Sequence, residues 1–387
     1  MNKITYTLFV FLVAFNCFGQ EDSINSFENK FIKHFTKHYT NDSTFIIDKN
    51  LLFKTNFESD NFNLSISEEK VNFKTEERIL KNPYYSEEYD ESDDDYDYMK
   101  NYPKSYSVIF ENNLVSLFEN GKFACYDIIT FERNIQLENK LNLKKFKYHW
   151  VIDKNLIAQS GNSKFVWSNS KWIELKERTP LKKQPKLYDD NEFIVYSDCF
   201  GEWGGSIYFY ERATSKIFFT ESTCANTVIK SDKGYEILAH LGHMSGSSEI
   251  KIVPDPRKLT LLKRSNKKTN KNREALGYSD KSNAFIKVFD LYDIQIFSLF
   301  YHNNQKLYVV NVADLTFLAK INKDRIKIVH PLFFDDLYTH NPVTTQYEDV
   351  TLINLDFYGT ALEREVSLLL ISKDRIVKID WNELQRN

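Results

Sequence analysis

The chain has 387 residues, 42% apolar and 15% aromatic, with a formal net charge of −3. That apolar content excludes a disordered chain, and the near balance of charge gives no reason to expect a nucleic-acid partner. Phe and Tyr, at 31 and 23, dominate the aromatics, and both favour half-buried pleated surfaces.

The chain begins "MNKITYTLFVFLVAFNCFGQED". Lys3 gives a positive start, Leu8 to Phe15 is an unbroken apolar run, and Cys17 and Gly19 place small residues before a cut at Gln20. This layout predicts a secretory signal peptide over 1–19, with a lipid-anchored Cys17 as the alternative that Asn16 disfavours. Eight clean apolar residues are too few to span a bilayer, and no later stretch approaches that length, so no transmembrane span is expected. The expectation is an exported protein, periplasmic or extracellular, and monomeric.

Residues 20–43 form an N-terminal segment, partly helical, because Phe27, Phe31, Ile32 and Phe35 recur at helical spacing within 23–40. Beyond it the pattern changes to short runs such as "STFIIDKNLLFKT", "SYSVIFENNLVSLFE", "NEFIVYSD" and "RIVKIDW". Runs of this length, rich in Val, Ile, Phe and Tyr and broken by Asn, Asp, Lys and Gly, read as strands and turns.

The turns recur. An acidic residue, a small polar set and then an apolar strand appear at Asp48, Glu111, Asp153, Asp190, Asp232, Asp280, Asp324 and Asp374, at intervals of 63, 42, 37, 42, 48, 44 and 50 residues. Hairpins centred near Phe131, Asn169, Ala213 and Pro256 keep the same beat. A period of 40 to 50 residues built only of strands is the mark of propeller blades, each a small antiparallel sheet. The expectation over 44–387 is an all-β propeller of seven blades, with six or eight as alternatives and a β-sandwich or two unrelated β domains as the competing architecture. The terminal "DRIVKIDW" has room for one strand, which would complete a blade begun by the N-terminal strands.

From about residue 44 to 381 this pattern resembles that of propeller repeat proteins, although no "GH…WD" signature of WD40 proteins occurs. The segment "SDCFGEWGGSIYFYERATSK…STCANTVIK…YEILAHLGHMSGSSEIKIVPDPRKL" resembles uncharacterised exported bacterial propeller-like proteins. That resemblance implies the fold and no particular activity.

Two inserts interrupt the beat. In the acidic one, 84–98, Asp93, Asp95 and Asp97 have the alternate spacing of calcium ligands, but the glycine and glutamate of an EF-hand loop are missing. Weak calcium binding there is the sole cofactor expectation. The basic insert, 258–274, carries Lys258, Lys263, Arg264, Lys267, Lys268, Lys271 and Arg273, and reads as a polar connection.

The stretch "SDCFGEWGGSIYFYERATSKIFFTESTC" holds three of the chain's 11 glycines and two of its four cysteines. If "SIYFY" and "KIFFTES" pair as a hairpin with Glu211 facing Lys216, Cys199 falls four residues out of register with Cys224. A bulge at "GEWGG" would bring them together, and a Cys199–Cys224 disulfide would clamp its base, leaving Cys125 as a lone thiol. Such a bulge pushes Glu202 and Trp203 toward a blade rim, where propellers present ligands; the blander reading makes Trp203 a rigid corner.

In "AHLGHMSGSSE", His240, His243 and Glu249 add candidate ligand-contacting groups. The two histidines alternate across a strand and the cysteines lie 25 apart, so no metal site is expected. No nucleophile elbow, phosphate-binding loop or H-E-x-x-H occurs. The expected function is therefore non-catalytic binding of a protein or glycan, with Asp198, Glu202, Trp203, His240, His243 and Glu249 as candidate contacts. The alternative is a hydrolase or lyase using channel-mouth carboxylates Asp198, Glu202 and Glu249, with or without a metal.

Overall fold

The computed structural model describes residues 28–37, 48–54, 62–84, 103–176, 179–243, 246–263, 284–313, 315–322, 325–333, 339, 341–355 and 367–381. The expected signal peptide, Cys17, Asp93, Asp95, Asp97 and most of the basic insert lie outside these residues. The chain divides into two compact units, Met1–Val71 with Asn311–Leu337, and Asn72–Val310 with Tyr338–Asn387.

The strands form six sheets, the blades of an all-β propeller. Three strands precede the blades in sequence: β1 (Phe53–Lys54), β2 (Asn63–Ile66) and β3 (Lys74–Leu80). The first blade comprises β4 (Val108–Phe110), β5 (Asn113–Leu117) and β6 (Phe123–Asp127), and the second β7 (Tyr148–Ile152), β8 (Asn155–Ser160), β9 (Ser163–Ser168) and β10 (Lys171–Glu174). The third holds β11 (Lys186–Asp189), β12 (Phe193–Cys199), β13 (Gly205–Glu211) and β14 (Ile217–Glu221). The fourth holds β15 (Ala225–Ser231), β16 (Gly234–Leu241), β17 (Ser247–Val253) and β19 (Ile286–Tyr292), while the short β18 (Thr260–Leu261) joins the edge of the third. The fifth contributes the hairpin β20 (Gln295–His302) and β21 (Gln305–Val312), followed by β22 (Leu315–Asn322) and β23 (Arg325–Phe333). The sixth is β24 (Val343–Tyr347), β25 (Val350–Asn354), β26 (Ser367–Ser372) and β27 (Arg375–Trp381), with β3 outside β27.

In the larger unit the first strands meet one another: β4 with β7, β7 with β11, β11 with β15, and β11, β15 and β20 with β24. Apolar seams fill the spaces between neighbouring sheets. Leu117, Phe123, Leu156 and Trp167 join the first and second blades, Trp150, Ile157, Tyr196 and Tyr208 the second and third, and Phe209, Phe218, Ile237 and Val253 the third and fourth. Leu80, Leu114, Leu370 and Trp381 do the same for the sixth and first. The sixth blade takes four consecutive strands from the C-terminal part of the chain, so β27 does not complete a blade begun by the N-terminal strands, which corrects the expectation from sequence. Instead β3 adds a fifth strand parallel to β27, from Lys74 opposite Arg375 to Leu80 opposite Trp381.

In the smaller unit β1, β2, β23 and β22 lie side by side, with β2 parallel to β23. Residues 28–37 are helical (α1), and the i, i+4 pair Phe31 and Phe35 is fully buried, Phe31 packing edge-on against Phe317. A second helix, α2 (Ile135–Leu141), caps the first blade: Asn134 accepts the Leu137 N–H at its start, and Leu137 and Leu141 enter the core.

Six blades replace the expected seven because the recurring acidic turn marks two different hairpins. At Glu111, Asp153, Asp190 and Asp232 it joins the first and second strands of a blade. Asp374 instead lies between the third and fourth strands, and in sequence Asp324 falls likewise between β22 and β23. Asp280 lies outside the described residues. The first hairpins of the fifth and sixth blades turn at Asn303–Asn304 and Glu348–Asp349, so counting all markers at one beat adds an interval. The common physics is a two-residue turn with positive φ at both positions, seen at Glu111 and Asn112 (47° and 58°), Asp153 and Lys154 (50° and 62°) and Asn303 and Asn304 (47° and 60°).

Candidate rim site

The stretch rich in glycine and cysteine runs through the last three strands of the third blade and ends at Cys224, the residue before the fourth. The β13–β14 hairpin has the expected register, with Ser206 opposite Glu221 and Tyr210 opposite Ile217. The expected bulge is corrected: β12 ends at Cys199, the chain turns through a short 3-10 segment at Gly201–Trp203, and β13 starts at Gly205, opposite Cys199. The glycines therefore close a hairpin instead of lengthening a strand. Gly201 and Gly204 take φ of +61° and +95°, which a side chain would resist.

Cys199 and Cys224 form a disulfide across the base of this connection. It ties the end of β12 to the residue before β15, where the Cys224 carbonyl accepts the His240 N–H. In the turn that follows Cys199, Phe200 and Trp203 are 41% and 69% exposed.

The β16–β17 connection comes to meet this loop. His243 Nδ1 lies 3.3 Å from Glu202 Oε2, and both side chains are about half exposed. Gly246 turns the connection at φ +82°, its N–H bonded to the His243 carbonyl. Of the residues named from sequence, Glu202 and His243 thus meet, and Trp203 follows Glu202 in the same connection.

The other candidates lie elsewhere. Asp198 sits on β12 between Ser197 and Cys199, and strand alternation turns it to the side of Tyr196, toward the second blade. Burial raises its carboxyl above the usual range, against hydrogen bonds with Gln184 and Tyr208 and the charges of Lys183 and Lys182. His240 is fully buried, its Nε2 3.2 Å from Gln295 Oε1 and its ring edge-on to Phe297. Glu249 pairs with Lys251 at 3.1 Å and Lys287 at 3.6 Å. The three carboxylates of the hydrolase alternative therefore have three different sets of partners. Among the described residues no group of three His, Cys, Asp or Glu side chains is placed to hold a metal ion.

Residues that sequence did not single out line the centre of the larger unit. On and just before the first strands of blades one, two, three and six, Ser105, His149, Lys183, Gln184 and Tyr347 surround a cavity of about 20 Å³, room for one water-sized group. No local sequence pattern marks them, because they come from four separate blades.

No known protein family and no curated protein matches the chain. Solved structures match the chain at low identity and low TM-score. A structure of PorZ, described as an essential bacterial surface component of the type-IX secretion system of Porphyromonas gingivalis, is 11% identical with a TM-score of 0.33. The match covers 74% of this chain and 34% of PorZ, so the chain spans about a third of that structure's length. BamB from Moraxella catarrhalis is 9% identical, covering 64% of this chain and 66% of its own at a TM-score of 0.30. The N-terminal domain of Nup159 is 9% identical, covering 74% and 80% at 0.33. No helix among the described residues is long and apolar enough to cross a membrane.

Proposed function

We propose that this chain is an exported propeller that holds a ligand without chemistry, at the rim formed by the β12–β13 and β16–β17 connections. The observation that carries this reading is the Glu202–His243 contact at 3.3 Å, which brings a polar pair together in the same loop as the exposed Trp203, the next residue in sequence. A large aromatic face covers apolar surface at little entropic cost, and a polar pair beside it fixes orientation. That combination suits a glycan, whose ring faces are apolar and whose edges carry hydroxyls, better than a flat protein surface. The disulfide supports an oxidising compartment, and hence export.

Screening the protein on a glycan array, with Trp203→Ala and Glu202→Ala as comparators, tests the reading. Wild-type protein should retain a defined set of glycans, and either substitution should weaken capture at least tenfold while leaving Tm within a degree or so, since both side chains are exposed. A fall in Tm with capture unchanged would make Trp203 a structural corner.

A further inference from the structure

The first-strand cavity contains a serine and a histidine in an arrangement with one consistent proton assignment. Ser105 Oγ lies 2.9 Å from His149 Nδ1, and His149 Nε2 lies 3.0 Å from the Val115 carbonyl oxygen. A carbonyl only accepts, so Nε2 carries the ring proton and Nδ1 presents its lone pair. The Ser105 hydroxyl must then donate to Nδ1. Phe123 packs edge-on to the imidazole at 5.3 Å, and His149 is only 4% exposed, so the ring is held in place. Ser105 itself is half-buried and lines the cavity, together with the exposed Lys183.

We infer that Ser105 and His149 form a nucleophile–base pair at the mouth of the central strands, able to accept the acyl or phosphoryl group of an activated ester. Hydrogen-bond contact between the nucleophile and a base oriented by a third group is the geometric requirement for such chemistry. Ser105 Oγ attacks the electrophilic carbon or phosphorus and its proton passes to His149 Nδ1. The leaving group departs with that proton, giving an ester of Ser105 and a free alcohol. Water attacking by the reverse path, its proton taken by the same nitrogen, releases the acid and restores the hydroxyl. Lys183 supplies positive charge on the cavity wall as negative charge develops on the attacked group.

Burial pushes the His149 imidazole down to about 4, which keeps Nδ1 free to accept across neutral pH but makes it a weak base. Val115 offers a neutral carbonyl where hydrolytic triads place a carboxylate, so the imidazolium gains orientation without a full countercharge. Both features make Ser105 a slow nucleophile, and the small cavity restricts it to slender reactive groups. This inference is independent of the rim site.

The test is incubation of the full chain with a slender alkyl fluorophosphonate, from which fluoride leaves with the transferred proton, followed by intact mass and peptide mapping. Native protein should gain one adduct, on Ser105, roughly a hundredfold faster than the urea-unfolded chain, the usual scale of positioned base catalysis. Ser105→Ala should gain none while still unfolding cooperatively, at a somewhat lower Tm because the buried His149 Nδ1 loses its donor. No adduct on the native chain, equal labelling of Ser105→Ala, or equal rates in native and unfolded protein would each overturn the assignment.

Discussion

At the scale of single residues, Gly205 shows why this stretch collects glycine. A Cβ built there would lie 2.4 Å from the Asp198 carbonyl oxygen and 2.9 Å from that of Ser222, both backbone atoms that cannot swing aside. The Gly205 carbonyl accepts the Ser222 N–H, which holds the third and fourth strands of this blade together beyond their last ladder pair. Gly205→Ala should therefore lower stability by about 2 kcal/mol or more in urea unfolding, through overpacking against fixed backbone. No measurable loss from Gly205→Ala would show that the surrounding backbone gives way to the added methyl.

At the scale of elements, the disulfide holds a hairpin connection against the next blade. Its cysteines are 25 residues apart, and closing a loop of that size contributes about 3 kcal/mol in the chain-entropy model. Replacing both Cys199 and Cys224 by Ala should cost about that much in urea unfolding. A reductant should bring wild-type protein down to the variant and leave the variant unchanged; insensitivity of wild-type protein would place its stability elsewhere. This clamp was legible in sequence because oxidising chemistry and strand register both constrain the pairing of cysteines. The bulge was misread because register arithmetic extended one strand through the glycines, whereas positive φ at Gly201 and Gly204 lets the chain reverse. Helix α2 escaped notice because seven residues supply only two apolar core contacts, Leu137 and Leu141. The recurring turn identified the blade as a unit, yet its chemistry serves first and last hairpins alike, so it could not number the blades. Glu202, Trp203 and His243 were readable since they crowd into two glycine-bearing loops. Ser105 and His149 were not, because they stand 44 residues apart and only the packing of first strands brings them together.

At the scale of the whole molecule, the sixth blade depends on residues from both ends of the sequence. Parallel pairing of β3 with β27 covers an edge that would otherwise expose a row of unpaired backbone groups, and Leu80 enters the same core as Trp381. An ion cluster fastens the strand. Arg375 grips Glu76 with two hydrogen bonds of 3.1 and 2.8 Å, while Lys74 and Arg78 approach it to 3.0 and 2.9 Å. The bonds from Arg375, then those from Lys74, hold the Glu76 carboxyl down to about 2, against 4.5 for an unconstrained glutamate. A carboxylate depressed in the folded state binds its proton more weakly there than in the unfolded chain. Its stabilisation is therefore complete above about 4.5 and is lost as pH falls toward about 2. Glu76→Gln keeps the shape but removes this titration. Thermal unfolding of the two proteins should differ most near neutral pH, and the gap should close as pH falls through that window. Salt should narrow the gap as well, because the cluster is open to solvent and screened. Parallel curves down to the acid end would mean that the clasp is carried by the backbone ladder and Leu80 alone.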